Sequence, residues 1–67
     1  MKIRFVRNVL VDVQKVRLEE IWDKQFRRWD ELQIESVHYS GKKAEVRTAE
    51  GDILVDVPID AFEMVKA

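Results

Sequence analysis

Two indoles, a phenyl ring and two guanidiniums crowd one short stretch of the chain: Trp22, Phe26, Arg27, Arg28 and Trp29. Trp and Arg are enriched where proteins bind one another, and an Arg lying on an aromatic face can stack on a base or hold a phosphate. A second basic feature is Lys42-Lys43, beside Gly41 at what reads as a hairpin tip, where an ammonium can reach a phosphate. These seven residues are the candidate interaction surface. A competing use of the rings is structural. A domain of 67 residues needs its large aromatics for core area, and each buries about 150–250 Å². On that reading the rings pack inward and only the charges meet water.

Residues for covalent chemistry are sparse. Nucleophilic catalysis needs a nucleophile, a base and a group that orients the base. Ser36, Ser40 and Thr48 are the candidate nucleophiles, and His38 is the only imidazole. Nothing around Ser36 and His38 completes a triad, so His38 reads as a strand histidine on the surface. The 13 carboxylates include no pair with a glycosidase-like setting. Both glycines are isolated, which excludes a Gly-rich phosphate loop. Cysteine is absent, excluding disulfides and thiolate zinc sites, and one His with scattered carboxylates makes no transition-metal site. The expectation is a non-enzymatic protein with no catalytic residues, no cofactor and no metal.

The scaffold for such a surface must be small. A chain of this length buries about 60% of the surface its unfolded form exposes, so the core supplies a net stability of about 3–5 kcal/mol. The composition is 46% hydrophobic and 37% charged, too apolar for disorder and too charged for a membrane protein. No apolar run approaches the roughly 20 residues that span a bilayer. Arg7, Asn8 and Asp12 interrupt the N-terminal apolar stretch, so it does not read as a signal peptide. One domain over 1–67, in the cytoplasm, is the default expectation. Net charge is −1, but residues 1–30 hold eight basic against five acidic residues, and 31–67 hold four against eight. The overall acidity argues against strong nonspecific binding to a polyanion.

Alternation at period two marks the strands. Residues 2–13 place Ile3, Phe5, Val9, Val11 and Val13 on one face, with Arg7 breaking it. A strand this long is expected to bend. Leu32-Gln33-Ile34-Glu35 and Val37-His38-Tyr39 alternate on either side of a phase change at Ser36, the mark of a bulge. Turns at Ser40-Gly41-Lys42 and Glu50-Gly51-Asp52 separate two further strands. In the first, Ala44, Val46 and Thr48 share a face; in the second, Ile53, Val55 and Val57 do. Pro58 ends the last of these, Ile59–Phe62 fits one helical turn, and Glu63-Met64-Val65 a final strand. The segment 16–31 is ambiguous. Leu18, Ile21, Trp22, Phe26, Trp29 and Leu32 fall on one side of a helical wheel, with Glu20/Lys24 and Asp23/Arg27 at helical i,i+4 spacing. Against a helix, no Ser, Thr, Asn or Asp caps its start, and the Leu32 strand follows at once.

The run FRRWDELQIESV, then Gly41, AEV, Gly51-Asp52 and VPIDAFEMV, resembles the SH3-like small β-barrel over residues 26–65, with the first strand matching loosely. Short microbial and phage proteins of this appearance are similar. The resemblance implies about five antiparallel strands, a long first loop over 14–30 folded as a hairpin-like arm, and a short C-terminal helical turn. The alternative is a β-α-β-β-β fold with a helix at about 17–31. The groove in which SH3 domains take proline-rich peptides uses a Trp at the start of the third strand. Gly41-Lys42-Lys43-Ala44 stands there instead, and Tyr39 is the lone tyrosine. Three expectations for function follow. The leading one is a protein–protein interaction module acting as monomer or weak homodimer. A nucleic-acid-binding barrel using Arg27, Arg28, Lys42 and Lys43 is the second, and self-association through the first strand the third.

Overall fold

The computed structural model describes residues 1–15 and 17–66. It is mainly β: seven antiparallel strands form one open sheet, with a single short 3-10 helix among the described residues. In chain order these are β1 (Lys2–Phe5), β2 (Val9–Lys15), β3 (Glu20–Phe26), β4 (Glu31–Ser40), β5 (Lys43–Thr48), β6 (Asp52–Pro58), the 3-10 turn (Ile59–Ala61) and β7 (Phe62–Val65). The spatial order is β3-β2-β6-β5-β4-β1-β7.

The expected count of about five strands is therefore too low, for two reasons. The long N-terminal strand divides at Val6–Asn8, where the chain passes from the β4/β7 side of the sheet to the β3/β6 side. At that corner the Val6 amide donates to the Ala61 carbonyl at 2.8 Å, and Arg7 points to solvent. Alternation survives the corner, so Ile3, Phe5, Val9, Val11 and Val13 are all buried, as the pattern implies. The second reason is the arm: β2 and β3 form a regular hairpin from Val9↔Phe26 to Lys15↔Glu20.

The helix at about 17–31 is overturned by this hairpin. Each β3 residue finds its partner across the ladder in β2, and Glu20, Trp22, Lys24 and Phe26 share the face of Lys15, Val13, Val11 and Val9. The apolar residues that lie together on a helical wheel here separate. Ile21 faces the other side of the sheet from Trp22 and Phe26, and Leu18 sits in the turn. An uncapped amphipathic segment gains little helix on its own, whereas β2 supplies a full set of backbone partners.

β4 serves two neighbours. Its start pairs with β1 and its remainder with β5, and the register shifts between Ile34 and Ser36, where the phase change places a bulge. A second bulge was not legible. The β5–β6 register shifts between Ala44 and Val46, and Asp56 adopts a left-handed φ of 54°. The extra residue moves the inward set of β6 from Ile53, Val55 and Val57 to Leu54 and Val57, which are essentially inaccessible. Gly51, at φ 94°, closes the β5–β6 turn, and its amide donates to the Thr48 carbonyl. Pro58 ends β6 as expected, and β7 returns to pair with β1 from Lys2↔Val65 to Phe5↔Phe62. Ile3, Phe5, Val46, Leu54 and Val57 are the most deeply buried large side chains of the core.

Candidate functional site

The seven candidate residues do not form one surface. Phe26 leaves the set altogether. It is 5% exposed and stacks on Phe5, with centroids 4.3 Å apart and 15° between the planes. The core claims this ring, as the area requirement of a small domain demands. The two indoles are not claimed: Trp22 is 56% and Trp29 57% exposed. The expectation that core area would draw in all three rings holds for one.

Arg27, Arg28 and Trp29 occupy the turn between β3 and β4. Its backbone is pinned from several sides. The Asp30 carboxylate accepts from the Arg27 amide at 2.8 Å, and the Asp30 amide donates to the Arg27 carbonyl at 3.0 Å. The Arg28 amide donates to Asn8 Oδ1 at 2.8 Å. The Trp29 amide donates to the Phe5 carbonyl at 2.7 Å, and the Phe5 amide donates to the Asp30 carbonyl at 2.8 Å. Trp29 is held at φ 76°, a conformation that L-residues with bulky side chains rarely adopt. The Arg28 guanidinium lies over the Trp29 ring at 4.6 Å. The result is an exposed, ordered cation–aromatic pair on a fixed turn.

Neighbouring charges extend this end of the molecule. Arg7 bonds Asp60 at 2.8 Å, and the hydrogen bond and positive charge of Arg7 lower the Asp60 pKa. The Lys42 carbonyl accepts from the Ile59 amide at 3.1 Å, which ties the β4–β5 tip to the 3-10 turn. Lys42 and Lys43 are both exposed; Lys43 is the first residue of β5 and lies opposite Pro58. Lys42, Asp60, Arg7, Asn8 and Arg28 are thus linked through adjoining turns.

Trp22 belongs to a different place. It overhangs a groove of about 440 Å³ floored by Val13, Phe26, Leu32 and Leu54 and rimmed by the Lys15–Asp52 ion pair at 2.8 Å. Its indole N–H donates to Glu20 Oε2 at 2.8 Å. Leu18 and Ile21 leave further apolar surface exposed on the same arm.

Sequence reasoning missed the residues that build the turn. Asn8 reads as an interruption of an apolar stretch and Asp30 as part of the run that resembles an SH3-like barrel, yet both hold backbone amides. The one available signal was Asp30 three residues after Arg27, a spacing at which an Asp side chain can close a turn on its own backbone.

Of the residues weighed for catalysis, Ser36, His38 and Ser40 lie on β4 and Thr48 on β5. Thr48 is buried and its Oγ1 accepts from the Asp52 amide at 3.0 Å, while His38 faces Glu45 across the β4–β5 ladder. Among the described residues no group of three or more His, Cys, Asp or Glu is placed to hold a metal ion, and no helix is long and apolar enough to cross a membrane. The sequence matches no protein-family model, and no curated protein or solved structure matches it.

Proposed function

We propose that the chain is a non-enzymatic protein-interaction module of SH3-like architecture, and that the Arg27–Asp30 turn is its contact surface. Support for the architecture is the order of parts. A hairpin arm lies between the first strand and β4, tight turns join β4, β5 and β6, and a 3-10 turn after Pro58 leads into a last strand on β1. One observation carries the functional reading: Trp29 keeps an exposed indole at a positive φ. Gly or Asn fits that backbone at lower cost. A bulky apolar ring retained there, outside the core, is explained by what it touches beyond the chain. Arg28 stacked on it supplies charge and a second flat face.

The experiment is affinity capture from an extract with three proteins: wild type, Trp29→Asn and Arg28→Glu. Asn tolerates the left-handed conformation, so the turn keeps its shape while the indole is lost. The expected result is a protein partner held by wild type and lost from both variants. A partner retained equally by all three removes the turn from the proposal.

A nucleic-acid reading has one observation in its favour, the same Arg28–Trp29 stack, which matches how single-stranded bases are held. Asp60 and Asp30 beside the basic residues weigh against it. Titration with single- and double-stranded oligonucleotides at low ionic strength decides, because phosphate contacts are strongest there. No binding under those conditions ends this reading.

A further inference from the structure

The two edges of the sheet are β7 and β3. β7 is four residues long, and shortness is one way in which proteins blunt an edge. β3 is seven residues long, contains no proline, and is exposed at every position except Phe26. Among the described residues its ladder partner is β2 alone, so its outer row of amides and carbonyls is open to another strand. Glu20, Trp22 and Lys24 project from one face of this edge, over the groove side. Among the described residues neither Glu20 nor Lys24 belongs to an ion pair within the chain.

We infer that β3 pairs antiparallel with β3 of a second copy of this chain, about a two-fold axis at Trp22. The occupant follows from charge complementarity. When a two-fold axis relates two antiparallel edge strands, one residue faces its own copy and every other pairing is fixed by it. With Trp22 at the axis, Glu20 of each chain stands opposite Lys24 of the other, twice over. The two indoles meet, and the grooves beside them join into one apolar seam. Ile21 falls opposite Asp23 on the other face without a clash. The neighbouring registers fail on charge. Centring on Asp23 opposes two carboxylates, on Lys24 two ammonium groups, and on Ile21 it sets Glu19 against Asp23. Centring on Gln25 drives the ladder past Phe26 into the Arg27–Asp30 turn, whose backbone is already committed.

This interface is separate from the Arg28–Trp29 turn and does not depend on it. It also differs from pairing through the first strand, because residues 2–13 supply β1, which lies between β4 and β7, and most of β2, which lies between β3 and β6.

The test is sedimentation velocity on wild type, Glu20→Lys, Lys24→Glu and an equimolar mixture of the two variants. Wild type is expected to dimerise. Each variant alone opposes like charges at both ion-pair positions and should weaken dimerisation by about ten-fold or more. Mixed, Glu20→Lys presents two lysines to the two glutamates of Lys24→Glu, and a heterodimer should return. An independent readout uses the absence of native cysteine. Residues facing each other across antiparallel strands have Cα atoms about 4.5–5.5 Å apart, within disulfide range. Trp22→Cys should therefore cross-link to itself on oxidation, and Ile21→Cys should not. A wild type that stays monomeric to about 1 mM overturns the inference. So does a dimer in which the charge variants self-associate as wild type, or a mixture that fails to recover. Should a charge variant not fold, self-cross-linking at position 21 as readily as at 22 overturns it instead.

Discussion

Phe5 and Phe26 stack at 4.3 Å between centroids, and this contact fastens the hairpin arm to the body of the sheet. Phe5 lies on β1, which pairs with β4 and β7, while Phe26 closes β3 at the far edge of the same sheet. The two strands are remote in the ladder order yet meet through their rings, because the sheet curls; the Lys24 ammonium lies over the Phe26 ring at 5.2 Å. Truncating Phe26 to Ala should cost about 3–5 kcal/mol, the usual effect of deleting a buried phenyl ring. That equals the whole net stability of a domain this size, so Phe26→Ala should be largely unfolded at room temperature, while Phe26→Leu, losing less volume, should fold with a lowered midpoint. Urea denaturation followed by circular dichroism measures both. A folded Phe26→Ala with an unchanged midpoint would show that the arm is held by its backbone ladder and not by the rings.

Trp29 offers the opposite case, a large ring whose removal should leave the fold intact. Replacing it by Gly relieves the positive φ, worth about 1 kcal/mol, and forfeits an exposed cation–aromatic contact of about 0.5–1 kcal/mol. The amide that bonds the Phe5 carbonyl survives the change. Stability should therefore hold to within about 1 kcal/mol while partner capture is lost. A drop beyond about 2 kcal/mol would make the indole a structural residue and remove the reason to read it as a contact.

The two glycines should separate by backbone geometry alone. Nothing lies within 4 Å of a methyl group built on either. Gly41 has φ 62°, within the left-handed helical region that Asn tolerates, and Gly51 has φ 94°, beyond it. Gly41→Asn should be close to neutral. Gly51→Asn should cost about 1 kcal/mol or more, read as a lower thermal midpoint. Equal costs at the two positions would contradict the turn geometry.

Much of this architecture is legible from alternation. Ile3, Phe5, Val9, Val11 and Val13 mark their face, Ser36 its bulge, and Pro58 the end of β6, because period-two burial is written directly into residue order. What escaped has a common cause: the information lies in another strand. Asp56 looks like one more polar position until the β5–β6 register forces it into a left-handed bulge and turns Leu54 inward. The arm shows helical spacing because Trp22 and Phe26 satisfy both an i,i+4 and an even-numbered pattern, and only the ladder with β2 decides between them. At the candidate site the sequence marks Trp29 and Arg28 as chemistry but cannot show that Asn8, far along the chain, holds their turn.

Acid should act on this protein in two opposite ways. Asp12 stands opposite Asp23 in the β2–β3 ladder, and its pKa is raised, first by a hydrogen bond with Asp23 and then by the charges of Asp23 and Asp56 and by desolvation. A folded-state pKa above the unfolded one means that the ionised carboxylate costs stability at neutral pH, and that the cost fades as pH falls through the folded-state value. Glu31 is the reverse. Hydrogen bonds from Arg4 and Lys2 hold its pKa below the ordinary value, so its contribution is present at neutral pH and fades as pH falls through that lowered value. Thermal melts of Asp12→Asn and Glu31→Gln against wild type across the acid range should therefore show a higher midpoint for the first and a lower one for the second at neutral pH. Both differences should shrink toward zero in acid. Both groups are solvent-exposed, so salt should reduce both differences. A neutral-pH midpoint for Asp12→Asn below that of wild type would mean that Asp12 and Asp23 are not in repulsive contact, and would detach the acid response from the arm.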